Sequence, residues 1–199
     1  MSLAAVVEAL RGGGVAAVPT DTVYGLAARI DRPEAIERLF ELKRRPPERT
    51  LAVLVRGIDQ AELLAELDDR ARALIEAFWP GALTLVVPAS SAAPASVVAP
   101  GGTVGVRAPD HPVIQRIIAE LGPIVATSAN LHDQPTPADA AGVAEQFPGL
   151  PVHDGGPCGS VASTVVRLDA GPAAEVQIVR EGEISAAALR RCLTLGSPG

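Results

Sequence analysis

Three small groups of polar residues stand where apolar runs of this 199-residue chain stop: Thr20, Asp21 and Thr22 after VAAV, Arg107 after TVGV, and Thr127, Ser128 and Asn130 after IVA. Hydroxyl, amide, carboxylate and guanidinium groups at strand ends suit a small polar ligand, because loops there present side chains and free backbone donors. Turns favour Ser, Thr, Asn and Asp for their own local hydrogen bonds. Three such groups in one chain nonetheless point to a shared cleft.

A fourth group is basic. KRRPPER brings Lys43, Arg44, Arg45 and Arg49 around a proline pair, and Lys43 is the single lysine in a chain whose other sixteen basic residues are arginine. Arginine offers bidentate contacts and lysine a compact point charge, so the cluster suits a triphosphate, while cations at a helix C-terminus also complement its dipole. No GxxxxGK[ST] occurs, so a nucleotide would be held without a P-loop. GGPCGS, residues 155 to 160, reads either as a phosphate-facing loop or as a flexible turn.

Other chemistries find little support. His111, His132 and His153 share no metal-ligand spacing, and no protein metal site is expected. Ser128 lacks a GxSxG elbow. Asp21 is the only acid inside a candidate motif, suited to metal coordination or hydrogen bonding. With no evident nucleophile or general base, the residues fit a reaction catalysed by positioning and electrostatics, as nucleotidyl transfer largely can be.

The elements that must position these groups alternate irregularly. Helical spacing after Ser2 ends at Gly12-Gly13-Gly14, and Asp31 with Glu34 resembles a capping box for a helix ending near Lys43. Further helices are expected at 59–67, 69–78 and from Pro112, with a weak one in ADAAGVAEQF and a last one that Ser185 caps. Strands are expected at VAAV, LAVLV, LTLVV, TVGVR, IVAT, LPVHD, STVVRL and EVQIV. The mixture predicts one α/β or α+β domain over residues 1–199, a twisted mixed sheet covered by helices.

Composition adds exclusions. A net charge of −6 and few aromatics weigh against general affinity for nucleic acid. No apolar run is long enough to span a membrane, and Cys158 and Cys192 lack CxxC spacing, so a cytoplasmic chain with free thiols is expected.

The stretches PTDTVYGL, KRRPPERTL, WPGALTLVV, TVGVRAPDHP, TSANLHDQPTP, STVV and IVREG resemble, in order and over about residues 10 to 182, the Sua5/YrdC/YciO family. Lys43-x-Arg45 and Ser128-x-Asn130 match its KxR and SxN signature. The resemblance implies a YrdC-like fold with a concave, positively charged face, without the C-terminal domain of the longer Sua5 type. It implies synthesis of L-threonylcarbamoyladenylate and pyrophosphate from L-threonine, bicarbonate or CO2 and ATP with Mg2+, for the t6A modification of tRNA. Thr22, Arg107 and Ser163 would then surround the amino acid; Arg45, Arg49, Thr103, Ser128, Thr136 and Arg180 would surround ATP. Lys43, Arg45, Ser128 and Asn130 would form the catalytic signature. Partners would be tRNA or the proteins that transfer the threonylcarbamoyl group. A YciO-like paralogue, or an RNA-binding or ribosome-associated module using the same concave face, is the alternative reading. The chain departs from the family pattern at Arg49-Thr50, Leu54, His132-Asp133 and Arg167.

Overall fold

A computed structural model describes residues 1–44, 51–131, 134–169, 171 and 176–195. Arg45, Arg49, Thr50, His132 and Asp133, all singled out from the sequence, lie outside the described residues.

Eight strands form one mixed sheet: β1 (Ala16–Val18), β2 (Gly25–Arg29), β3 (Ala52–Leu54), β4 (Leu83–Pro88), β5 (Thr103–Arg107), β6 (Ile124–Ser128), β7 (Thr164–Leu168) and β8 (Val176–Arg180). Their spatial order is β1-β2-β6-β3-β5-β4-β7-β8. β3 with β5 and β4 with β7 are parallel, and the other neighbours run antiparallel. The helices are α1 (Leu3–Arg11), α2 (Pro33–Lys43), α3 (Ile58–Glu62), α4 (Asp69–Phe78), α5 (Pro112–Leu121), α6 (Ala140–Gln146) and α7 (Ala186–Leu195).

Strand alternation sorts the apolar side chains onto two faces. On one face, Val6, Val7 and Leu10 of α1 and Ile114, Ile117 and Ile118 of α5 close over Ala16, Val18, Ala27, Leu54, Ile124 and Ala126. The larger cluster on the other face takes Leu26, Val53, Val104, Val106, Leu83, Leu85 and Val166 from the sheet and residues such as Leu39, Leu74 and Leu189 from the helices. Leu54, a departure from the family pattern, is thus a core residue beneath α5.

Several local expectations change. β2 was not anticipated: GLAAR has no β-branched or aromatic residue, and its pairing with both β1 and β6 makes it a strand. Asp31 does not cap α2; it is bound by Arg29 Nε and Nη2 at 2.8 and 2.6 Å, and Arg32 occupies the N-cap without a side-chain bond. The helix expected over 59–67 stops at Glu62, because Glu66 N–H turns to Pro88 O and Ala65 bridges Ala89. LPVHD makes only a single bridge, Val152 to Ala17. Ser2 caps α1 and His111 opens α5, its Nδ1 accepting from Val113 N–H.

The register also orders the site. Leu54 lies opposite Arg107, and Val165 opposite Arg180. With Leu85 opposite Val106 and Thr84 opposite Val165, the row Leu54, Arg107, Thr84, Val165, Arg180 crosses the sheet, starting within the α5-covered cluster and leaving it at Arg107.

Candidate active site

The first polar cluster is built around Arg107, 6% exposed at the end of β5. Its Nε donates to Gly81 O at 3.0 Å, Nη1 to Thr22 Oγ1 at 3.0 Å and Nη2 to Asp21 Oδ1 at 2.6 Å. A guanidinium has five N–H donors, so two have no acceptor among the described residues. Thr20 fixes the approach of Thr22. Its hydroxyl gives its one proton to Val23 O at 2.7 Å, so in the 3.0 Å contact between the two threonines Thr22 is the donor. Protons therefore point in one direction, from Arg107 to Thr22 to Thr20 to Val23 O.

Across β4, Thr84 Oγ1 and Ser163 Oγ are 2.9 Å apart, and Arg180 closes on Ser163 with Nε and Nη2 to its carbonyl at 3.1 and 2.9 Å. Thr164, fully buried, holds the following turn by donating to Ile184 O and accepting from the N–H groups of Gly182 and Ile184. That turn needs glycine: a Cβ at Gly182 would lie 2.1 Å from Ala162 O and 2.7 Å from Ser163 C. Desolvation of the Arg180 guanidinium, and next the like charge of Arg107, lower its pKa. Both cations therefore act on the same space, and among the described residues Asp21 is the one carboxylate bonded to either.

The second cluster joins the signature residues. Lys43 ends α2, where Arg44 adopts a left-handed conformation, and it is 4% exposed. Its ammonium donates to Ser128 O at 2.6 Å, Ser128 Oγ at 2.8 Å and Asn130 Oδ1 at 2.9 Å. Asn130 Nδ2 in turn donates to Leu131 O and Gln134 O, and Thr136 Oγ1 reaches Asn130 Oδ1 at 3.4 Å. All three acceptors are neutral, so the ammonium holds Ser128 and Asn130 in place and keeps its positive charge.

The two clusters meet through β2. Gly25 lies opposite Ser128, and Tyr24 O accepts from Ala129 N–H at 2.7 Å. Tyr24, the only tyrosine, is fully buried, donating to Gly156 O at 2.8 Å and accepting from Gly155 N–H. Burial raises its pKa. GGPCGS is accordingly packed on the Pro19–Tyr24 segment: a Cβ at Gly155 would meet Pro19 Cγ at 2.6 Å, and Cys158 Sγ bonds Thr20 O. The lone tyrosine fastens one wall of the site to another.

Sequence-based expectations therefore divide. Thr22, Arg107 and Ser163 share the first cluster, and Lys43, Ser128, Asn130 and Thr136 the second. Arg180, expected beside ATP, sits on Ser163. Thr103 is buried on the same face as Arg107, four residues and about 13 Å back along β5, and joins neither cluster. Arg167, another departure from the family pattern, pairs with Asp169. The contributions of Thr84 and Gly81 O went unread, because nothing in sequence marks a strand threonine or a turn carbonyl as a neighbour of Arg107. Among the described residues no group of three His, Cys, Asp or Glu side chains could hold a metal ion, and no helix is long and apolar enough to cross a membrane.

The model of the Sua5/yciO/yrdC family, described as telomere recombination, matches residues 8–182. The chain is 42% identical over 163 residues to the threonylcarbamoyl-AMP synthase of Bacillus subtilis, covering 79% of this chain and 47% of that protein. It is 41% identical over 169 residues to the threonylcarbamoyl-AMP synthase of Pyrococcus abyssi, covering 82% and 49%. The chain thus spans about half the length of these curated relatives. The crystal structure of P. abyssi Sua5 complexed with L-threonine superposes with a TM-score of 0.87 at 36% identity, over 96% of this chain and 56% of that one.

Proposed function

This chain belongs to the Sua5/yciO/yrdC family, and we propose that it is a nucleotidyl-transferring enzyme that makes L-threonylcarbamoyladenylate and pyrophosphate from L-threonine, bicarbonate or CO2 and ATP. The observation that carries the reading is the Arg107 cluster: a buried guanidinium, two of whose N–H donors have no acceptor among the described residues, beside Thr22 and Ser163, in a chain similar to a protein whose structure holds L-threonine.

Arg107 offers its free donors to the amino-acid carboxylate, a charge-assisted pairing that also fixes orientation. Thr22 and Ser163, held by Thr20 and Thr84, present hydroxyls to the remainder of the substrate. The threonine amine adds to CO2 and loses a proton, giving a carbamate. A carbamate oxygen then attacks the α-phosphorus of ATP, and pyrophosphate departs with the electrons of the broken P–O bond. Ser128, Asn130 and Thr136, shaped by Lys43, form the nucleotide side together with Thr103, Arg180, Arg45 and Arg49. In this reading Lys43 positions Ser128 and Asn130. Mg2+ enters with ATP as part of the substrate, its ligands supplied chiefly by phosphate oxygens, and it neutralises charge on the triphosphate. The product is a mixed anhydride, suited to threonylcarbamoyl transfer to tRNA in the cytoplasm.

The test is pyrophosphate release by the purified chain with ATP and Mg2+. Release that requires both L-threonine and bicarbonate, with serine a poor substitute, is the expected result. Release without any amino acid, or equal release with serine, would overturn the proposal.

A further inference from the structure

An amino-acid site at the Arg107 cluster, as the proposed function has it, would also engage Asp21. A free amino acid carries an ammonium and a carboxylate on one carbon, so a site that selects it over an uncharged or purely anionic analogue needs an anion and a cation side by side. Asp21 and Arg107 supply that pair: Oδ1 accepts from Nη2 at 2.6 Å, and their side chains are 14% and 7% exposed. Arg107 is the only ion-pair partner of Asp21 among the described residues, and the second carboxylate oxygen has no described hydrogen bond. Among the described residues the other cation acting on this space, Arg180, is bonded to Ser163. The charge of Asp21 acts on His111 and Cys158, but burial favours the neutral imidazole of the first and the neutral thiol of the second. An unspent carboxylate oxygen and unspent guanidinium donors thus border the same side chains.

We propose that Asp21 binds the α-ammonium of the substrate amino acid through its unshared oxygen while Arg107 holds the carboxylate. Thr22 separates Asp21 from Val23 in the chain and is itself tied to Arg107, so all three groups move as one piece. A merely structural role, in which Asp21 only orients Arg107, makes a different prediction. Loss of Asp21 would then weaken every carboxylate ligand alike, with or without an amine.

The experiment is calorimetric titration of wild type and Asp21→Asn with L-threonine and with 3-hydroxybutyrate, which keeps the carboxylate and hydroxyl but replaces the ammonium by hydrogen. Wild type is expected to prefer threonine by at least about tenfold, the scale of one charge-assisted hydrogen bond. Asp21→Asn should lose at least about tenfold for threonine and leave 3-hydroxybutyrate unchanged or tighter, since Arg107 is released from its partner. Equal loss for both ligands, or a variant that keeps the threonine preference, overturns the inference and leaves the proposed function standing. Equal affinity of wild type for the two ligands overturns it without any need for a folded variant. If wild type binds no amino acid at all, the proposed function falls and the inference with it.

Discussion

Along β3 and β6 the sheet face that carries Leu54, Ile124 and Ala126 is closed by α1 and α5, and every side chain in that cluster is aliphatic. Along β5 and β4 the same face carries Thr103, Arg107 and Thr84, and the aliphatic cluster contains no residue from these strands. Both halves are buried. In the first, burial is achieved by packing and stabilises the fold through removal of apolar surface from water. In the second, polar groups lose water and recover it as hydrogen bonds, an exchange that contributes little net stability. Arg107 stands one strand from Leu54 and marks the border. Under the proposed function, stability and ligand recognition fall to adjacent parts of a single surface.

Mutations can break this contrast. Ile117→Ala, in the aliphatic half, should cost about 3 kcal/mol in urea unfolding while threonine affinity stays within about twofold of wild type. A large loss of affinity in the folded variant would show the halves to be coupled. Gly182→Ala, in the polar half, forces a Cβ against the Ala162–Ser163 backbone and should destabilise by about 2 kcal/mol. It should also weaken ligand binding, because Arg180 and Ser163 are displaced together. A silent melt would mean that the turn adjusts freely. Arg107→Lys keeps the charge but loses the planar fork, and a threonine affinity reduced by about 1.5 kcal/mol is expected in calorimetry. Unchanged affinity would leave only a point charge at that position.

The smallest effect sharpens the border itself. His111 opens α5 in the aliphatic half, while Asp21 of the polar half acts on its charge. Burial lowers its pKa from 6.5, so the unfolded chain binds a proton first as pH falls. Its contribution is fully present above 6.5, declines as pH drops from there toward the folded value, and then levels off. His111→Asn preserves an N-cap side chain and should flatten that decline in melts recorded across mildly acidic pH. An unchanged slope would place the titration elsewhere.

The aliphatic half was the more legible of the two in sequence. Apolar spacing in α1 and α5 and the apolar runs of LAVLV and IVAT mark these elements directly. β2 escaped because its Gly and Ala residues are fixed by two neighbouring strands and by no preference of their own. In the polar half residue types were legible and partnerships were not. Lys43 and Asn130 are 87 positions apart, Asp21 and Arg107 are 86, and nothing local announces either bond. Sequence singles out Lys43 by its rarity, but only the folded chain shows its ammonium bonded to Ser128 and Asn130. Asp31 shows the same limit at short range, since its capping pattern was outcompeted by Arg29 two residues away.

The central claim is that the polar half of this sheet face is the amino-acid site. A crystal structure of the chain with L-threonine and a non-hydrolysable ATP analogue tests it most directly. The account predicts the threonine carboxylate within hydrogen-bond distance of Arg107 Nη1 and Nη2, its hydroxyl and amine among Asp21, Thr22 and Ser163, and phosphates toward Ser128, Asn130 and Thr136. Threonine bound away from Arg107, with the Asp21–Arg107 pair undisturbed, would contradict it.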